Sequence, residues 1–421
     1  MLIQFTVGNS FSFREKVTLS MVKTALHELP ENVIQADKDI ALLKSAVVYG
    51  ANASGKSNLM KALFFMRFFG AFSSAVLQID DPILTFPFLL NEGTSAQPSF
   101  FEIVCIIDKV VYRYGFEVGD RAVNKEWLYH TPKAKEEELF YRVGADIRIS
   151  GGFAEGKGVE QKTRANCSFL SVVAQFNGQI ASKIVKWFKR FHVNVNYNYP
   201  ALREHIIDRM ENDPSLKEDI IKFVSIADNG IADFKIESAT ELPAQTGKNI
   251  SREGKGEVKR HSVLFKHKTN NIKKQEGIDL PVFLESEGTK KMFALSVPVI
   301  DAIKNGEIMI IDELENHLHP LLLKYIIKLF NSHANRNNAQ LIFTTHNLTC
   351  MDKEFFRRDQ IWFTEKNASN ESTLFSLAEY KIQKKKIRND ASFSKDYLLG
   401  KYGAVPFIAD IDLSFKENSN E

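Results

Sequence analysis

The chain has 421 residues, 44% of them hydrophobic and 25% charged, the composition of a folded protein long enough for two or more packed units rather than of a disordered chain. Its 55 Lys and Arg against 52 Asp and Glu leave a formal net charge of +3, so no whole-molecule field draws it onto nucleic acid or an anionic membrane. Cys105, Cys167 and Cys350 show no CxxC or Cys/His finger spacing, which points to reduced thiols in a cytoplasmic protein.

The start, MLIQFTVGNSF, lacks a basic segment followed by an apolar one, so no secretory signal is expected. LIQFTV and KSAVVYG (44–50) read as strands. The run LMKALFFMRFFGAFSSAVL (59–77) is broken by Lys61 and Arg67, which predicts a buried helix rather than a membrane span; no membrane partner is expected. FFEIVCIID (100–108) and VVYRYGFEV (110–118) read as a hairpin turning near Asp108 and Lys109.

From about residue 163 the spacing turns helical, in SFLSVVAQFNGQIASKIVKWFKRF (168–191) and again in LKEDIIKFVSIAD (216–228). The polar stretch 241–261, rich in Gly, Lys and Glu, reads as a mobile loop or insertion tip. Strand IMII (308–311), helix PLLLKYIIKLF (320–330) and strand QLIFTTH (340–346) then restore α/β character. His319 stands at that helix's N-cap and Pro320 in its first turn, where a missing N–H costs nothing. The expected organisation is an α/β head split in two: residues 1–150 as its P-loop lobe, 151–275 as a mainly helical insertion, and 276–421 as its second half.

The strongest local signal is GANASGKS (50–57), which fits G-x-x-x-x-G-K-[ST] between a strand and an apolar helix. Gly50 and Gly55 let the loop curl so that the N–H groups of Asn52, Ala53, Ser54 and Gly55, with Asn58 just beyond, surround a phosphate at a helix N-terminus. Lys56 then neutralises the β- and γ-phosphates and Ser57 offers a hydroxyl to Mg²⁺. GGFAEGKG (151–158) spells most of the same motif but ends in Gly158, where a metal-binding hydroxyl is needed, and reads as a flexible loop.

DELENHLHP (312–320) packs three carboxylates and two histidines into nine positions. The apolar strand ending in Asp312 is how a P-loop ATPase presents its second Mg²⁺ carboxylate, and Glu313 beside it can accept a proton from attacking water. The rival reading is a transition-metal site of Glu315, His317 and His319, but an i, i+2 histidine pair converges only on a strand, and a helix starts at Pro320. TTH (344–346) closes the next strand and puts His346 where it can sense a γ-phosphate. SEGTKK (286–291) precedes a helix, so Ser286 and the Gly288 backbone can meet phosphate at its N-terminus.

Taken in order, GANASGKS, SEGT, IMIIDE, the ENHLHP turn and TTH resemble the ATP-binding-cassette-type heads of SMC, Rad50 and RecF proteins. More closely, the chain resembles the OLD-like AAA15/AAA21 ATPases of bacterial defence loci, the Rlo and abortive-infection ATPases. GNSFSFRE, RRDQIWFTEK (357–366) and YLLGKYGAVP (397–406) also resemble parts of that family, with Ser10 where Phe is common. The resemblance implies ATP and Mg²⁺ as ligands, Lys56 and Ser57 as the P-loop pair, Asp312 as the Mg²⁺ carboxylate, Glu313 as catalytic base and His346 as switch histidine. It implies that Ser286 and Gly288 form a signature loop acting on the nucleotide of an opposite subunit, with 315–319 as the D-loop along that interface. Gln97 and Gln175 are the candidates for a Q-loop glutamine.

The implied function is an ATPase that dimerises head to head and regulates an anti-phage effector; the alternative is a RecF/Rad50-like DNA-repair ATPase. About 75 residues follow His346, too few for the Toprim nuclease domain of OLD proteins, so a separately encoded effector such as a Toprim-like nuclease is expected. Nine Lys or Arg in 248–274 and KIQKKKIR (381–388) are the features that suit DNA or RNA, but with Phe265 the one aromatic residue among them for base stacking, a solvated loop is the favoured reading.

Overall fold

A strand apolar at every position suits a sheet covered on both faces, and KSAVVY and IMII are of that kind. The computed structural model describes residues 1–194, 199–241, 258–269, 277–382, 385–386 and 392–405, and places both strands inside one largely parallel sheet.

Strands β1 (Leu2–Gly8) and β2 (Val17–Ser20) start an antiparallel sheet, after which β3 (Ser45–Tyr49) departs and feeds helix α1 (Lys56–Val76). The antiparallel sheet is completed by β4 (Ser99–Ile107), β5 (Val110–Val118), β6 (Val123–Thr131), β7 (Glu137–Val143) and β8 (Asp146–Ile149), in the order β8-β7-β6-β5-β4-β1-β2. The β4–β5 turn falls at Asp108 and Lys109, both at positive φ (49° and 66°), as a two-residue hairpin turn demands.

Next, α2 (Phe169–Gln175) and α3 (Gln179–Lys189) pack on α1, and β9 (Phe191–Asn194) joins the parallel sheet with Phe191 opposite Ile308. The chain continues through α4 (Tyr199–Asn212) and α5 (Leu216–Val224) into an antiparallel trio, β10 (Ile231–Glu241), β11 (Val258–His267) and β12 (Ile278–Pro281). Residues 151–275 thus contain strands as well as helices, and their first part is built into the head itself. The expected loop 151–158 holds a 3₁₀ turn, Gly151–Gly156, that buries Phe153 against Phe140 and Phe169. Most of the polar stretch 241–261 lies outside the described residues.

Helix α6 (Glu287–Asn305), strand β13 (Ile308–Ile311), helix α7 (Pro320–Asn331) and strands β14 (Gln340–Thr344), β15 (Ile361–Lys366) and β16 (Ser372–Ser376) finish the head. The second sheet runs β9-β13-β14-β3-β15-β16, parallel except for β16. Alternation along β3 shows how its faces divide: Ala46 and Val48 pack toward α1, Val47 and Tyr49 toward α6 and α7. Helix α1 is therefore sandwiched between the two sheets, which is why it is apolar over a membrane-like length while half of that length is buried within the protein. A third core joins Ile220, Val224, Phe234 and Phe265 to Phe293 and Val297 of α6. The C-terminal ends of β3, β13 and β14 lie along one edge, the edge at which α/β sheets build ligand sites.

Candidate functional site: a phosphate-binding loop facing two carboxylates

The loop GANASGKS leaves β3 at Tyr49 and closes on the first turn of α1. Its curl requires glycine at two places. At Gly50 (φ 154°) an added Cβ would lie 2.4 Å from the Thr364 carbonyl, and at Gly55 (φ 119°) 2.5 Å from Ser372 Oγ. The same neighbours brace the loop: Ser54 Oγ lies 2.6 Å from Thr364 Oγ1, and Ser372 Oγ donates to the Ser54 carbonyl at 2.6 Å while pairing with Ser12 Oγ at 2.7 Å. Asn58 completes the brace by donating to Ser12 Oγ at 2.9 Å. Ser12, Thr364 and Ser372 were not foreseen, because isolated Ser and Thr carry no pattern in sequence.

Lys56 is buried, and its Nζ donates back to the carbonyls of Gly50 (2.9 Å) and Ala51 (3.0 Å). Burial pushes its pKa down, while the carboxylates of Asp312, Glu313 and Glu315 pull it back up. Residues 52–58, Glu313, His346 and Lys366 together line a cavity of about 520 Å³, within the usual range for small-molecule sites. Ser57 is thus beside Lys56 on its wall, and Lys366, at the end of β15, adds a cation that the sequence reading did not single out.

Asp312 follows directly on β13. Its carboxylate accepts from Thr344 Oγ1 at 2.6 Å, and the Glu313 N–H donates to that same hydroxyl at 2.7 Å. Glu313 sits at φ 49°, strained for a side chain of its size, and accepts from Asn316 Nδ2 at 2.5 Å. His346 opens onto the cavity, where partial desolvation of its ring and then the Lys56 charge hold its pKa below the ordinary histidine value.

The rest of DELENHLHP divides in an unexpected way. Glu315 turns inward: one carboxylate oxygen accepts the His346 backbone N–H, and the other is buried without a partner. His317 and His319 are exposed, and His319 Nδ1 caps α7 by accepting from Leu321 N–H at 3.3 Å. Among the described residues, Glu315, His317 and His319 do not converge as metal ligands.

Ser286 caps α6, accepting from the Thr289 N–H at 3.1 Å, and neither it nor Gly288 lines the cavity. The first turn of α6 nevertheless touches the carboxylate segment. A Cβ on Gly288 would lie 3.0 Å from the His317 carbonyl, and buried Lys291 donates to the carbonyls of Leu314 (2.9 Å) and Glu313 (3.4 Å). Burial pushes the Lys291 pKa down to about 8. Gln97 and Gln175 are exposed and outside the cavity, and Arg14 is engaged with Glu371 at 2.8 Å. The basic side chains at 248–260 and 381–388 lie outside the described residues.

The family described as "AAA domain, putative AbiEii toxin, Type IV TA system" (AAA_21) matches residues 45–352. No curated protein matches the chain. Similar solved structures include an Smc head bound to the C-winged helix domain of ScpA, 15% identical over 91% of this chain and 99% of that one, with TM-score 0.45. The SMC head domain from Thermotoga maritima is 14% identical over 89% and 98% of the two chains, with TM-score 0.40. The Smc head domain with a coiled coil and joint from Pyrococcus yayanosii is 12% identical over 89% and 97%, with TM-score 0.42. The family match spans well over half the sequence and makes this chain a member of the AAA_21 family, built as an α/β P-loop head with the P-loop strand between β14 and β15.

Proposed function

We propose that the protein binds and hydrolyses ATP with Mg²⁺ and acts as sensor or regulator in a bacterial anti-phage defence system of abortive-infection type. The observation that carries the ATPase reading is the single cavity that presents Lys56, Glu313 and His346 together. The N–H groups at the N-terminus of α1 receive phosphate oxygens, and Lys56 turns its ammonium from the loop carbonyls to the β- and γ-phosphates. Ser57 Oγ and the Asp312 carboxylate are hard oxygen donors of the kind Mg²⁺ takes, and the ion supplies charge neutralisation to the phosphates when bound. Thr344 fixes the Asp312 carboxylate in place for that task. Glu313 keeps one oxygen on Asn316 and has the other to take a proton from the water that attacks the γ-phosphorus. His346, neutral at pH 7 with its lowered pKa, donates a ring N–H toward the γ-phosphate.

Ser286 and Gly288 stand outside this cavity, which supports a head-to-head dimer in which each subunit's signature loop completes the other's site. The family description, with its AbiEii toxin, supports a defence setting, and a separately encoded effector such as a Toprim-like nuclease would take the signal. Three buried free thiols suit a reducing cytoplasm.

The test is a pair of variants. Glu313→Gln is expected to bind ATP and accumulate as a dimer by light scattering without turning ATP over, whereas Lys56→Ala fails to bind it. Glu313→Gln hydrolysing at the wild-type rate would reject the assigned base, and a mass indifferent to ATP in Glu313→Gln would reject the dimer.

One observation favours the RecF/Rad50-like alternative: a recess of about 570 Å³ lined by Lys183, Lys186 and Arg190 along α3. If it holds a nucleic-acid backbone, DNA ends should stimulate ATP turnover and the effect should collapse as salt rises.

A further inference from the structure

Beneath the N-terminus of α6, apart from the nucleotide cavity, three ionisable side chains from distant segments meet. Asp228 lies in the turn after α5, His267 ends β11, and Glu285 immediately precedes the cap residue Ser286. One ligand atom from each lies within 4.8 Å of the others. His267 Nε2 is 2.7 Å from a Glu285 carboxylate oxygen, and the Glu285 side chain is only 6% exposed. The Gly230 N–H donates to Asp228 Oδ1 at 2.8 Å and fixes that carboxylate beside the imidazole. Gly230 also keeps the approach open: a Cβ there would lie 2.9 Å from Asp228 Oδ1 and 3.4 Å from His267 Nδ1.

The charge balance is what makes this cluster more than a hydrogen-bonded histidine. Among the described residues no Lys or Arg forms an ion pair with Asp228 or Glu285, so two carboxylates share a half-buried site with one imidazole. Buried carboxylates are costly without a cation, and a divalent ion bound by both removes that cost. One nitrogen and two carboxylates form a borderline donor set, better matched to Zn²⁺ than to Mg²⁺, which prefers all-oxygen octahedra with several waters. Ligands around tetrahedral Zn²⁺, each about 2.0–2.2 Å from the metal, stand roughly 3.3 Å apart. Shifts of about 1 Å or less in each side chain reach that arrangement from the present spread.

We propose that Asp228, His267 and Glu285 form a transition-metal site that takes Zn²⁺, with water as fourth ligand. Binding there joins the turn after α5 and the end of β11 to the residue before Ser286. The metal is a clamp on the base of α6, and on the reading above it stiffens the signature loop.

The test uses the full chain without a histidine tag, titrated with Zn²⁺ in millimolar Mg²⁺ and no nucleotide, with Co²⁺ absorption as a second probe of the ligand set. One Zn²⁺ per chain is expected, with affinity falling at least about tenfold in Asp228→Asn and in His267→Ala. Lys56→Ala and His317→Ala should bind as wild type does. Circular dichroism checks that each variant is folded, and Asp228→Asn, in a surface turn, provides the fold-sparing case. Absence of Zn²⁺ binding above the Mg²⁺ background overturns the proposal, as does binding unchanged in Asp228→Asn or lost in His317→Ala. Because no nucleotide is present, such a failure leaves the ATPase reading untouched.

Discussion

Thr344 donates its hydroxyl to the Asp312 carboxylate at 2.6 Å and, through the same oxygen, accepts the Glu313 N–H at 2.7 Å. One side chain on β14 therefore sets both acidic residues at the end of β13. Thr344→Val keeps the shape and removes the hydroxyl. ATP turnover should fall roughly 10–100-fold, the usual effect of losing a group that orients a metal ligand, with ATP affinity changed much less. Wild-type turnover in that variant, measured by phosphate release, would remove Thr344 from the site.

Glu315 holds the His346 backbone N–H, whereas His317 faces solvent. Glu315→Ala leaves that N–H unmet and slackens the segment that aims His346, so its turnover should drop at least about tenfold. His317→Ala, whose side chain does not line the cavity, should lose less turnover than Glu315→Ala. The comparison is a steady-state ATPase assay of both variants at one protein concentration.

Lys291 links α6 to the carbonyls of Glu313 and Leu314 with a pKa pushed down to about 8 by burial. An unfolded lysine titrates near 10.5, so between about pH 8 and 10.5 the unfolded chain binds more protons and the Lys291 contribution to stability rises with pH. Below pH 8 the full cost of burying the charge is present. Relative to Lys291→Met, wild type should gain up to about 2–3 kcal/mol across that window in urea melts. A difference that is flat or falls with pH would contradict a buried cation at this position.

Gly55 is at φ 119° with Ser372 Oγ 2.5 Å from where a Cβ would sit. Gly55→Ala should therefore deform the loop and lose nucleotide, by equilibrium dialysis with ATP, while far-ultraviolet circular dichroism stays unchanged.

Glu126 is wholly buried in β6, where its carboxylate accepts from Phe169 N–H (2.7 Å), Leu170 N–H (3.1 Å) and Tyr114 OH (3.0 Å) and lies 3.5 Å from Arg142. It holds the start of α2 and balances a buried guanidinium. Glu126→Ala leaves that charge without a counterion and should cost about 3–5 kcal/mol in urea unfolding, with Glu126→Gln costing less.

Local features were the legible ones. The spacing of GANASGKS, the alternation in β4 and β5 and the cap at His319 each depend on residues a few positions apart, and the structure bears them out. What sequence could not show is who meets whom across the chain. Ser12, Thr364 and Ser372 brace the P-loop from both ends of the molecule, and Asp228, His267 and Glu285 come together from segments with no shared pattern. The place of Glu315 is a further case: positive φ at Glu313 and His317 lets the backbone reverse and sends its carboxylate inward, which no local pattern announces.

Ser372 touches both Ser12 and Ser54, although synthesis separates those two from it by more than 300 residues. A chain still emerging from the ribosome has its P-loop sequence early but lacks β15 and β16, the hairpin that clamps the loop. On the ATPase reading, competence to hold nucleotide therefore waits until residue 372 has been made, and fragments released before it carry the motif without the grip.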